Sequence, residues 1–222
     1  APLCEGGGEL GLIDSYDGKR FLELGCGAAQ NSIAASRKGA EVFGIDGSER
    51  QLRHALHLKF QHSANVELIR GDIEDLNWVR SNSMDCVLSM FALEFIEDID
   101  RFLQHCFRIL VSHGTLLLST THPLSAFEWD NQTATLDVTN YFNPPVEIWG
   151  HEEEQNRVTF FRTIEDIFSS FTNAGFNVER LLEPMVKPVQ DGIESPYAGD
   201  YWEPYRRRLE KIPFAIVIKA RK

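Results

Sequence analysis

Long apolar runs, cysteine pairs and metal-ligand spacings are missing from this sequence. None of its apolar segments approaches the roughly 18 residues that a membrane-spanning helix needs, so a transmembrane protein is not expected. The four cysteines, Cys4, Cys26, Cys86 and Cys106, form no C-x-x-C pair and no zinc-finger spacing. The first residues also lack the basic and apolar regions of a secretion signal. We therefore expect a cytoplasmic protein with reduced thiols and no metal ion.

Positive charge is also scarce. Lysine and arginine total 22 against 33 aspartates and glutamates, which gives a formal net charge of −11. Nucleic acid and anionic membranes repel an acidic chain at long range, so neither is expected as the main partner. The basic residues gathered between Arg206 and Lys222 are interpreted as a solvated helix face and a strand end. His151, which precedes three glutamates, is interpreted as part of a solvated turn rather than a metal ligand.

The sequence does contain a regular alternation of apolar strands and amphipathic helices. The predicted strands are 20–24, 41–45, 66–69, 84–89 and 115–121, and the predicted helices are 29–38, 48–61 and 98–110. On the second helix, one buried face is expected to carry Leu52, Ala55, Leu56 and Phe60. Such alternation indicates a parallel sheet with right-handed crossovers. A chain of 222 residues has room for one such α/β domain, which we expect to span 1–222.

The alternation breaks between Pro123 and Arg162. This segment is rich in aromatic residues, and Asn143-Pro144-Pro145 marks a turn within it. We interpret 123–162 as a lid or an inserted antiparallel layer, either packed on itself or covering a substrate pocket. The residues predicted to contact a substrate are Phe127, Trp129, Tyr141, Trp149 and Arg162, although Arg162 could instead pin the lid. A helix at 163–174 and strands at 176–182 and 214–220 complete the predicted domain.

The segment from Phe21 to Ala29, FLELGCGAA, indicates a binding site for a nucleoside-bearing cofactor. An apolar strand runs here into a turn whose Gly25 and Gly27 allow positive φ angles and a close approach of the backbone to a ligand. Asp46 ends the next strand 21 residues after Gly25, the spacing at which a carboxylate reaches a pair of ribose hydroxyls. The alternative role for Asp46 is a helix cap.

Two residues distinguish between the cofactors that such a turn could hold. A dinucleotide-binding turn has Gly or Ala where this chain has Gln30, and Glu23 would be a poor neighbour for an anionic pyrophosphate. A carboxylate suits instead a cofactor with an ammonium and a sulfonium group. Asp72 follows the third strand, at the edge where ligands bind in open α/β sheets. It is predicted to bind an adenine amine, with Ile73 as a wall for the ring, or else to cap a short turn.

These motifs resemble those of the class I S-adenosylmethionine-dependent methyltransferases, in particular the small-molecule branch. The resemblance is strong from Lys19 to Gly114 and extends to the layout of the rest. It implies a Rossmann-like seven-stranded sheet in the order 3-2-1-4-5-7-6, the last strand antiparallel, with helices on both faces. It also implies S-adenosylmethionine as cofactor and S-adenosylhomocysteine as product. The predicted cofactor-binding residues are Glu23, Gly25, Cys26, Gly27, Asn31, Asp46, Gly47, Ser48, Gln51, Gly71, Asp72, Ile73, Ser89, Met90 and Phe91.

Two titratable residues are predicted near the acceptor. Many members of this family carry a histidine in the loop after the fourth strand, where this chain has Glu94. No family role can be carried over to Glu94, which simply keeps a titratable group near the pocket. The predicted general base is His122, at the end of the fifth strand, because a neutral imidazole suits proton removal near pH 7. A hydrogen-bonded structural histidine is the alternative, and both residues are predicted to contact the substrate.

The resulting hypothesis is methyl transfer from S-adenosylmethionine to an oxygen or nitrogen atom of a small, partly aromatic or apolar molecule, as in specialised metabolism. Nucleic-acid acceptors rank lower, because the loop Ser89-Met90-Phe91-Ala92 is not the Asn/Asp-Pro-Pro-aromatic type found in amino-methylating nucleic-acid enzymes. Two alternatives stay open. The same fold could bind the cofactor while catalysing a cyclisation or rearrangement, or the protein could be an NAD-dependent oxidoreductase.

Overall fold

The computed structural model describes residues 12–149, 157–185 and 204–222 and is built around a seven-stranded sheet. The strands are β1 (Arg20–Leu24), β2 (Glu41–Asp46), β3 (Val66–Arg70), β4 (Met84–Met90), β5 (Leu110–Thr121), β6 (Glu128–Asp130), β7 (Thr135–Asp137), β8 (Glu147–Trp149), β9 (Arg157–Thr159), β10 (Asn177–Leu182) and β11 (Ala215–Arg221). The main sheet runs β10-β11-β5-β4-β1-β2-β3. Within it, β11 is antiparallel to both neighbours and the other pairs are parallel. The predicted strand order and the antiparallel last strand are confirmed.

Helices cover both faces of this sheet. They are α1 (Gln30–Ser36), α2 (Glu49–Gln61), α3 (Ile99–Ile109), α4 (Ile164–Asn173) and the short α5 (Arg206–Leu209). Phe102 of α3 and Phe171 of α4 are fully buried in one cluster with Leu22 and other strand residues. Ile33 of α1 packs in a separate cluster with Phe21. No helix in the described ranges is both long enough and apolar enough to cross a membrane.

The predicted buried face of α2 is partly wrong. Ala55 is buried, but Leu56 is 45% exposed and Phe60 is 71% exposed. Ala55 packs with Cys26 and Ala29 of the glycine turn. Because these contacting residues are small, the helix lies close to the turn along a narrow strip, and the larger side chains beside that strip stay in solvent.

The segment after β5 forms two small antiparallel hairpins, β6–β7 and β8–β9. The main-chain nitrogen of Phe160, just after β9, donates a hydrogen bond to the carbonyl oxygen of Glu94 at 2.7 Å. This bond joins the second hairpin to the loop that follows β4. The antiparallel character expected for the segment is present, and its role as a lid stays a prediction.

The parallel strands bring several loops to one edge of the sheet. The carboxyl ends of β1, β2, β3, β4, β5 and β10 all lie there, and the antiparallel β11 begins at the same edge, with Ala215 opposite Thr121. Ligands of open α/β sheets bind outside this edge. Most of the residues predicted to bind the cofactor lie at these strand ends or in the loops that follow them, and most of those predicted to bind the substrate lie in the segment 123–162.

Candidate functional site

The glycine turn after β1 is tied to the end of β2 by two hydrogen bonds. The nitrogen of Cys26 donates to the carbonyl of Ile45 at 2.9 Å, and the nitrogen of Gly27 donates to Oδ2 of Asp46 at 2.8 Å. Ala29, which precedes α1, has a left-handed conformation with φ of 58° and is fully buried. The turn predicted from FLELGCGAA is therefore held against the neighbouring strand by its own backbone.

The two glycines of the turn serve different purposes. Gly25 has φ of +70°, and a Cβ added there would lie 2.6 Å from the Cβ of Ala92. The positive φ expected at Gly25 is present, and contact with Ala92, in the loop after β4, is a second reason for the missing side chain; the approach of a ligand to Gly25 stays a prediction. A Cβ on Gly27 (φ +52°) would meet nothing nearer than Oε1 of Gln51 at 3.9 Å. Gly27 is the glycine that leaves open space for a ligand.

Asp46 holds the ends of two loops. Its Oδ1 accepts a hydrogen bond from the nitrogen of Ser48 at 2.8 Å, and its Oδ2 accepts the bond from Gly27. The side chain of Ser48 in turn caps α2 by accepting from the nitrogen of Gln51. Each carboxylate oxygen has a second lone-pair direction, so Asp46 can still accept hydrogen bonds from a ligand. The helix-capping role falls to Ser48, and the predicted ribose contact of Asp46 stays compatible with the geometry.

Glu23 is buried and fully engaged within the protein. It accepts hydrogen bonds from the nitrogen and hydroxyl of Ser32, at 2.9 and 2.5 Å, and from Nδ2 of Asn31 at 2.8 Å. Burial raises the pKa of this carboxyl group, while the three hydrogen bonds oppose the rise. Glu23 and Asn31, both predicted to bind the cofactor, thus bind each other and fix the first turn of α1. Their direct contact with a cofactor stays a prediction.

Asp72 lies at the third strand end and is exposed. Its Oδ1 accepts from the nitrogen of Glu74 at 2.9 Å, which is the turn-capping alternative considered for it. The nitrogen of Gly71 donates to the carbonyl of Asp46 at 3.2 Å, so the ends of β2 and β3 are joined. A Cβ on Gly47 would lie 3.7 Å from the oxygen of Gly71. Asp72 therefore follows Asp46 along one continuous edge, and its Oδ2 accepts no hydrogen bond from the described residues.

The loop after β4 brings a strained aromatic residue to the same edge. Phe91 has φ of 53°, which is unusual for a bulky residue, and its nitrogen donates to the carbonyl of Ser119 at 2.8 Å. Its ring lies 5.7 Å from that of Phe214. On β4 itself, Ser89 is fully buried, and its hydroxyl has no hydrogen-bond partner among the described residues. Ile73 approaches from β3, with Cδ1 at 3.7 Å from the position of a Cβ on Gly25.

Glu94 is a buried acid on the β5 side of this loop. Its side chain accepts hydrogen bonds from Oγ1 of Thr120 at 3.2 Å and from Oγ1 of Thr121 at 3.0 Å. Burial raises the pKa of the Glu94 carboxyl, and the hydrogen bonds partly oppose this rise. The sequence analysis missed both threonines. The polar run Ser119-Thr120-Thr121-His122 at the end of a buried strand was the available signal for them.

His122 has neither ring nitrogen free. Its Nδ1 accepts a hydrogen bond from the nitrogen of Leu124 at 3.1 Å, and its Nε2 lies 2.7 Å from Oε1 of Glu183. An acceptor Nδ1 places the proton of the neutral ring on Nε2, which then donates to Glu183. Burial lowers the pKa of the imidazole, although Glu183 opposes this. These contacts favour the structural role of His122 over the predicted catalytic one. Glu183, which follows β10 at the same edge, was not identified from the sequence.

Arg162 pins the second hairpin to the loop that carries Glu94. Its guanidinium donates to the carbonyls of Leu93, Phe160, Ile96 and Glu97. These hydrogen bonds to main-chain oxygens fit the alternative in which Arg162 pins the lid, and its contact with a substrate stays a prediction. Burial lowers the pKa of its guanidinium.

The predicted substrate-binding aromatic residues do not share one environment. Phe127 is buried, while the indole of Trp129 donates to Oδ1 of Asn131 at 3.0 Å in the first hairpin. The hydroxyl of Tyr141 accepts from the nitrogen of Ile164 at the start of α4. The side chain of Trp149 and the whole of His151 lie outside the described residues. Trp129 is thus bonded within the first hairpin and Tyr141 to the start of α4, and their contact with a substrate stays a prediction. No group of three or more metal-ligating side chains occurs in the described ranges.

Comparison with known proteins identifies the domain that this edge belongs to. Residues 22–118 match the family described as "Methyltransferase domain". An uncharacterized protein of Haemophilus influenzae is 28% identical over 229 residues, covering 96% of this chain and 85% of that protein. The ubiquinone biosynthesis O-methyltransferase of Hahella chejuensis is 34% identical over 114 residues. That second match spans about half of each chain, 50% of this one and 48% of the relative.

Solved structures show the same fold over nearly the whole chain. A Listeria monocytogenes protein proposed to be an S-adenosylmethionine-dependent methyltransferase is 26% identical, with a TM-score of 0.75 over 95% of this chain and 94% of that one. The [4+2]-cyclase SpnF shares the fold at 19% identity, with a TM-score of 0.63 over 93% of this chain and 75% of that one. Three observations agree with a methyltransferase fold: the strand order, the acids at three adjacent strand ends and the matched domain. Residues 22–118 form a methyltransferase domain, and together with the shared fold they support a class I S-adenosylmethionine-dependent methyltransferase, an enzyme whose cofactor is S-adenosylmethionine.

Proposed function

We propose that this protein transfers the methyl group of S-adenosylmethionine to an oxygen or nitrogen atom of a small, partly aromatic or apolar molecule. The observation that carries the proposal is the hydrogen bond between Phe160 and Glu94, which joins the aromatic-rich segment 123–162, at its residue Phe160, to the loop after β4. A substrate covered by that segment would face the methyl donor. The O-methyltransferase relatives match about half of this chain, so they support an oxygen acceptor without identifying the molecule.

The residues of the edge fit the cofactor. The open space over Gly27 allows a nucleoside to approach the backbone, and Asp46 keeps lone pairs for ribose hydroxyls. The edge carries the carboxyl groups of Glu23, Asp46 and Asp72 at three adjacent strand ends, which favours the cationic end of S-adenosylmethionine over a pyrophosphate. Asp72 and Ile73 would contact the adenine, with Met90 and Phe91 beside the sulfonium. The net charge of −11 supports a small acceptor over nucleic acid, and we infer a cytoplasmic location.

The test is incubation of the protein with methyl-labelled S-adenosylmethionine and a panel comprising catechol, tyramine, ethanolamine and benzoate. The expected result is a labelled product and an equal amount of S-adenosylhomocysteine with at least one hydroxyl or amine compound. If none of these compounds is methylated, the panel is extended to broader acceptor libraries. Tight binding of S-adenosylhomocysteine without turnover of any compound in them would contradict methyl transfer.

The non-methylating alternative is kept because the cyclase SpnF shares this fold. It predicts that the protein converts an unsaturated substrate to an isomer while S-adenosylmethionine stays intact, which mass spectrometry of cofactor and product would reveal. The oxidoreductase alternative predicts NAD binding in calorimetry. Binding of S-adenosylhomocysteine but not NAD is the expected outcome.

A further inference from the structure

Glu94 is a buried acid whose side chain is bonded to the end of β5 and has no evident role in holding the cofactor turn. Its side chain is only 8% exposed. Its partners are the hydroxyls of Thr120 and Thr121, each of which approaches a different carboxylate oxygen. Besides burial, only hydrogen bonds act on its pKa within the described residues, and no charged side chain is among the causes. A buried carboxylate that lacks a cation partner is costly to a folded protein, so its presence calls for a functional reason.

The position of Glu94 relates it to the cofactor turn. Ala92, two residues earlier, has its Cβ directly beside Gly25, and β4 lies between β1 and β5 in the sheet. Neighbouring strands are about 4.8 Å apart, so a side chain bound to the end of β5 is within two strand spacings of the turn after β1. Glu94 therefore lies on the side of the cofactor turn that faces the aromatic segment.

The protein also restrains the backbone around Glu94. The carbonyl of Glu94 accepts from the nitrogen of Phe160, and the guanidinium of Arg162 holds the carbonyls of Leu93, Ile96 and Glu97. Arg162 approaches this turn as a cation, but its described hydrogen bonds go to main-chain oxygens rather than to the carboxylate. The side chain is thus fixed by two hydroxyls and its main chain by the second hairpin, as a group with a defined position in the reaction requires.

We propose that Glu94 accepts the proton of the methyl acceptor and that the acceptor atom is therefore a hydroxyl oxygen or an amine nitrogen that carries a hydrogen. This inference rests on the proposed function. When bound, S-adenosylmethionine supplies an electrophilic methyl group and leaves as a neutral thioether. The acceptor atom bonds to the methyl carbon while the carbon–sulfur bond breaks with its electron pair on sulfur, and the acceptor's proton moves to a carboxylate oxygen of Glu94.

Charge supports this assignment. When the acceptor is a neutral hydroxyl or amine, the transfer neutralises both the sulfonium cation of S-adenosylmethionine and the buried carboxylate of Glu94. A site of low dielectric favours this loss of charge. The raised pKa of Glu94 makes it a stronger base than an exposed carboxylate while it is ionised. His122, the other titratable candidate, has both nitrogens in hydrogen bonds. Glu183 is bonded to that histidine and is 45% exposed at its side chain.

The first test measures the proximity of Glu94 to the methyl donor and needs no acceptor. The carboxyl carbons of ¹³C-labelled glutamate are titrated by NMR, and Glu94→Gln identifies the Glu94 resonance. The expected result is a lower Glu94 pKa in the complex with S-adenosylmethionine than in the complex with S-adenosylhomocysteine, because the two ligands differ by one positive charge. Glu97, an exposed glutamate in the same loop, should show a smaller difference. Equal Glu94 pKa values in the two complexes would overturn the proposal.

The second test measures turnover with the compound of the panel that is methylated fastest. Glu94→Gln should lower kcat by at least about 100-fold, the usual contribution of a general base, and leave the affinity for S-adenosylhomocysteine unchanged. Glu97→Gln makes the same chemical change on an exposed side chain and should retain wild-type turnover. Glu94→Asp keeps a carboxylate, so it should recover part of the activity that Glu94→Gln loses. The pH at which its turnover rises should differ from that of the wild type, because the carboxylate occupies a different position.

The outcomes separate the two proposals. If wild-type protein methylates nothing, the proposed function fails while the NMR titration still reports whether Glu94 faces the donor. If wild-type protein is active and Glu94→Gln matches it, methyl transfer stands and the role of Glu94 is refuted. Circular dichroism shows whether Glu94→Gln folds. If it does not, the turnover of Glu94→Asp and its pH profile test the role of Glu94 instead. Turnover and a pH profile in Glu94→Asp identical to those of the wild type would contradict proton acceptance by Glu94.

Discussion

The carboxylate of Asp46 accepts a hydrogen bond from the main-chain nitrogen of Gly27 at 2.8 Å, so the end of β2 fixes the open part of the glycine turn. The second carboxylate oxygen accepts from the nitrogen of Ser48. A single acid thereby organises the turn after β1 and the start of α2. The residue predicted to bind the ribose is also the one that holds the surrounding backbone in place, so its removal affects both contacts and preorganisation.

Replacing Asp46 should weaken cofactor binding in proportion to the hydrogen bonds lost. Asp46→Ala removes the bonds to both main-chain nitrogens and the proposed bond to the ribose, and we expect affinity for S-adenosylhomocysteine to fall by roughly 1.5 to 3 kcal/mol, as for hydrogen bonds to a charged group. Asp46→Asn keeps one acceptor oxygen and should lie between alanine and wild type. Isothermal titration calorimetry measures both, with Asp137→Asn in the exposed β7 as control. Wild-type affinity in Asp46→Ala would place the ribose elsewhere.

Gly25 provides a test of packing between two loops. Gly25→Ala combines a positive φ with a methyl group 2.6 Å from the Cβ of Ala92. We expect the free energy of unfolding to fall by about 2 to 5 kcal/mol, from about 1 to 2 for the left-handed backbone and about 1 to 3 for overpacking. Urea unfolding measures this loss.

The double variant Gly25→Ala/Ala92→Gly removes the overlap but not the backbone cost, so it should recover part of the lost stability relative to Gly25→Ala. Ala92→Gly alone is the matched control for the backbone change at position 92. A double variant as unstable as the sum of both single variants would show that contact with Ala92 is not the reason for a glycine at this position.

Much of the fold follows from patterns that are local in the sequence. Alternating apolar strands and helices predict a parallel sheet, and the acids at the end of β2 and just after β3 are brought to one edge by parallel pairing. The partners of individual side chains depend on contacts between distant segments. No local pattern near Gly25 indicates that Ala92 will pack on it, and none near Arg162 indicates carbonyls at 93–97.

The error over Phe60 has a similar origin. Its spacing from Leu52 and Ala55 matches a buried helix face, but the width of the buried strip is set by the small residues of the glycine turn, which belong to another element.

His122 illustrates the same limit for a site. Its residue type suits a base, but the hydrogen bond to Glu183, 61 positions away, is invisible in the sequence around it.

The buried imidazole of His122 should contribute a defined pH dependence to stability. Its pKa is below the ordinary 6.5 because burial disfavours the charged ring more than Glu183 favours it. The unfolded chain therefore binds a proton at His122 before the folded protein does. Stability from this group is complete above pH 6.5 and is lost as pH falls from there toward the lower pKa of the folded state. His122→Asn, which can still accept from Leu124, should reduce this loss.

Urea unfolding at several pH values between about 5 and 8 measures the difference between the two proteins. His105, whose pKa is also lowered by burial, and Glu23 and Glu94, whose pKa values are raised, titrate in both proteins and cancel in this difference. A wild-type protein that loses less stability than His122→Asn on acidification would mean that Glu183 outweighs burial and that the ring is charged in the folded state.

Arg162 should be needed for the order of the loop that carries Glu94. Arg162→Met leaves the carbonyls of Ile96 and Glu97 without their charged donor, and we expect a loss of roughly 1.5 to 3 kcal/mol in the free energy of unfolding. Arg162→Lys keeps the charge but offers one compact ammonium in place of a planar fork, so it should recover only part of this loss. Hydrogen exchange at the amides of Phe95 and Ile96, which form turn bonds to Ala92 and Leu93, should accelerate in both variants. If these amides stay protected while global stability falls, Arg162 supports the hairpin rather than the Glu94 loop. The position of Glu94, the proposed proton acceptor, then depends on Phe160, Thr120 and Thr121 instead.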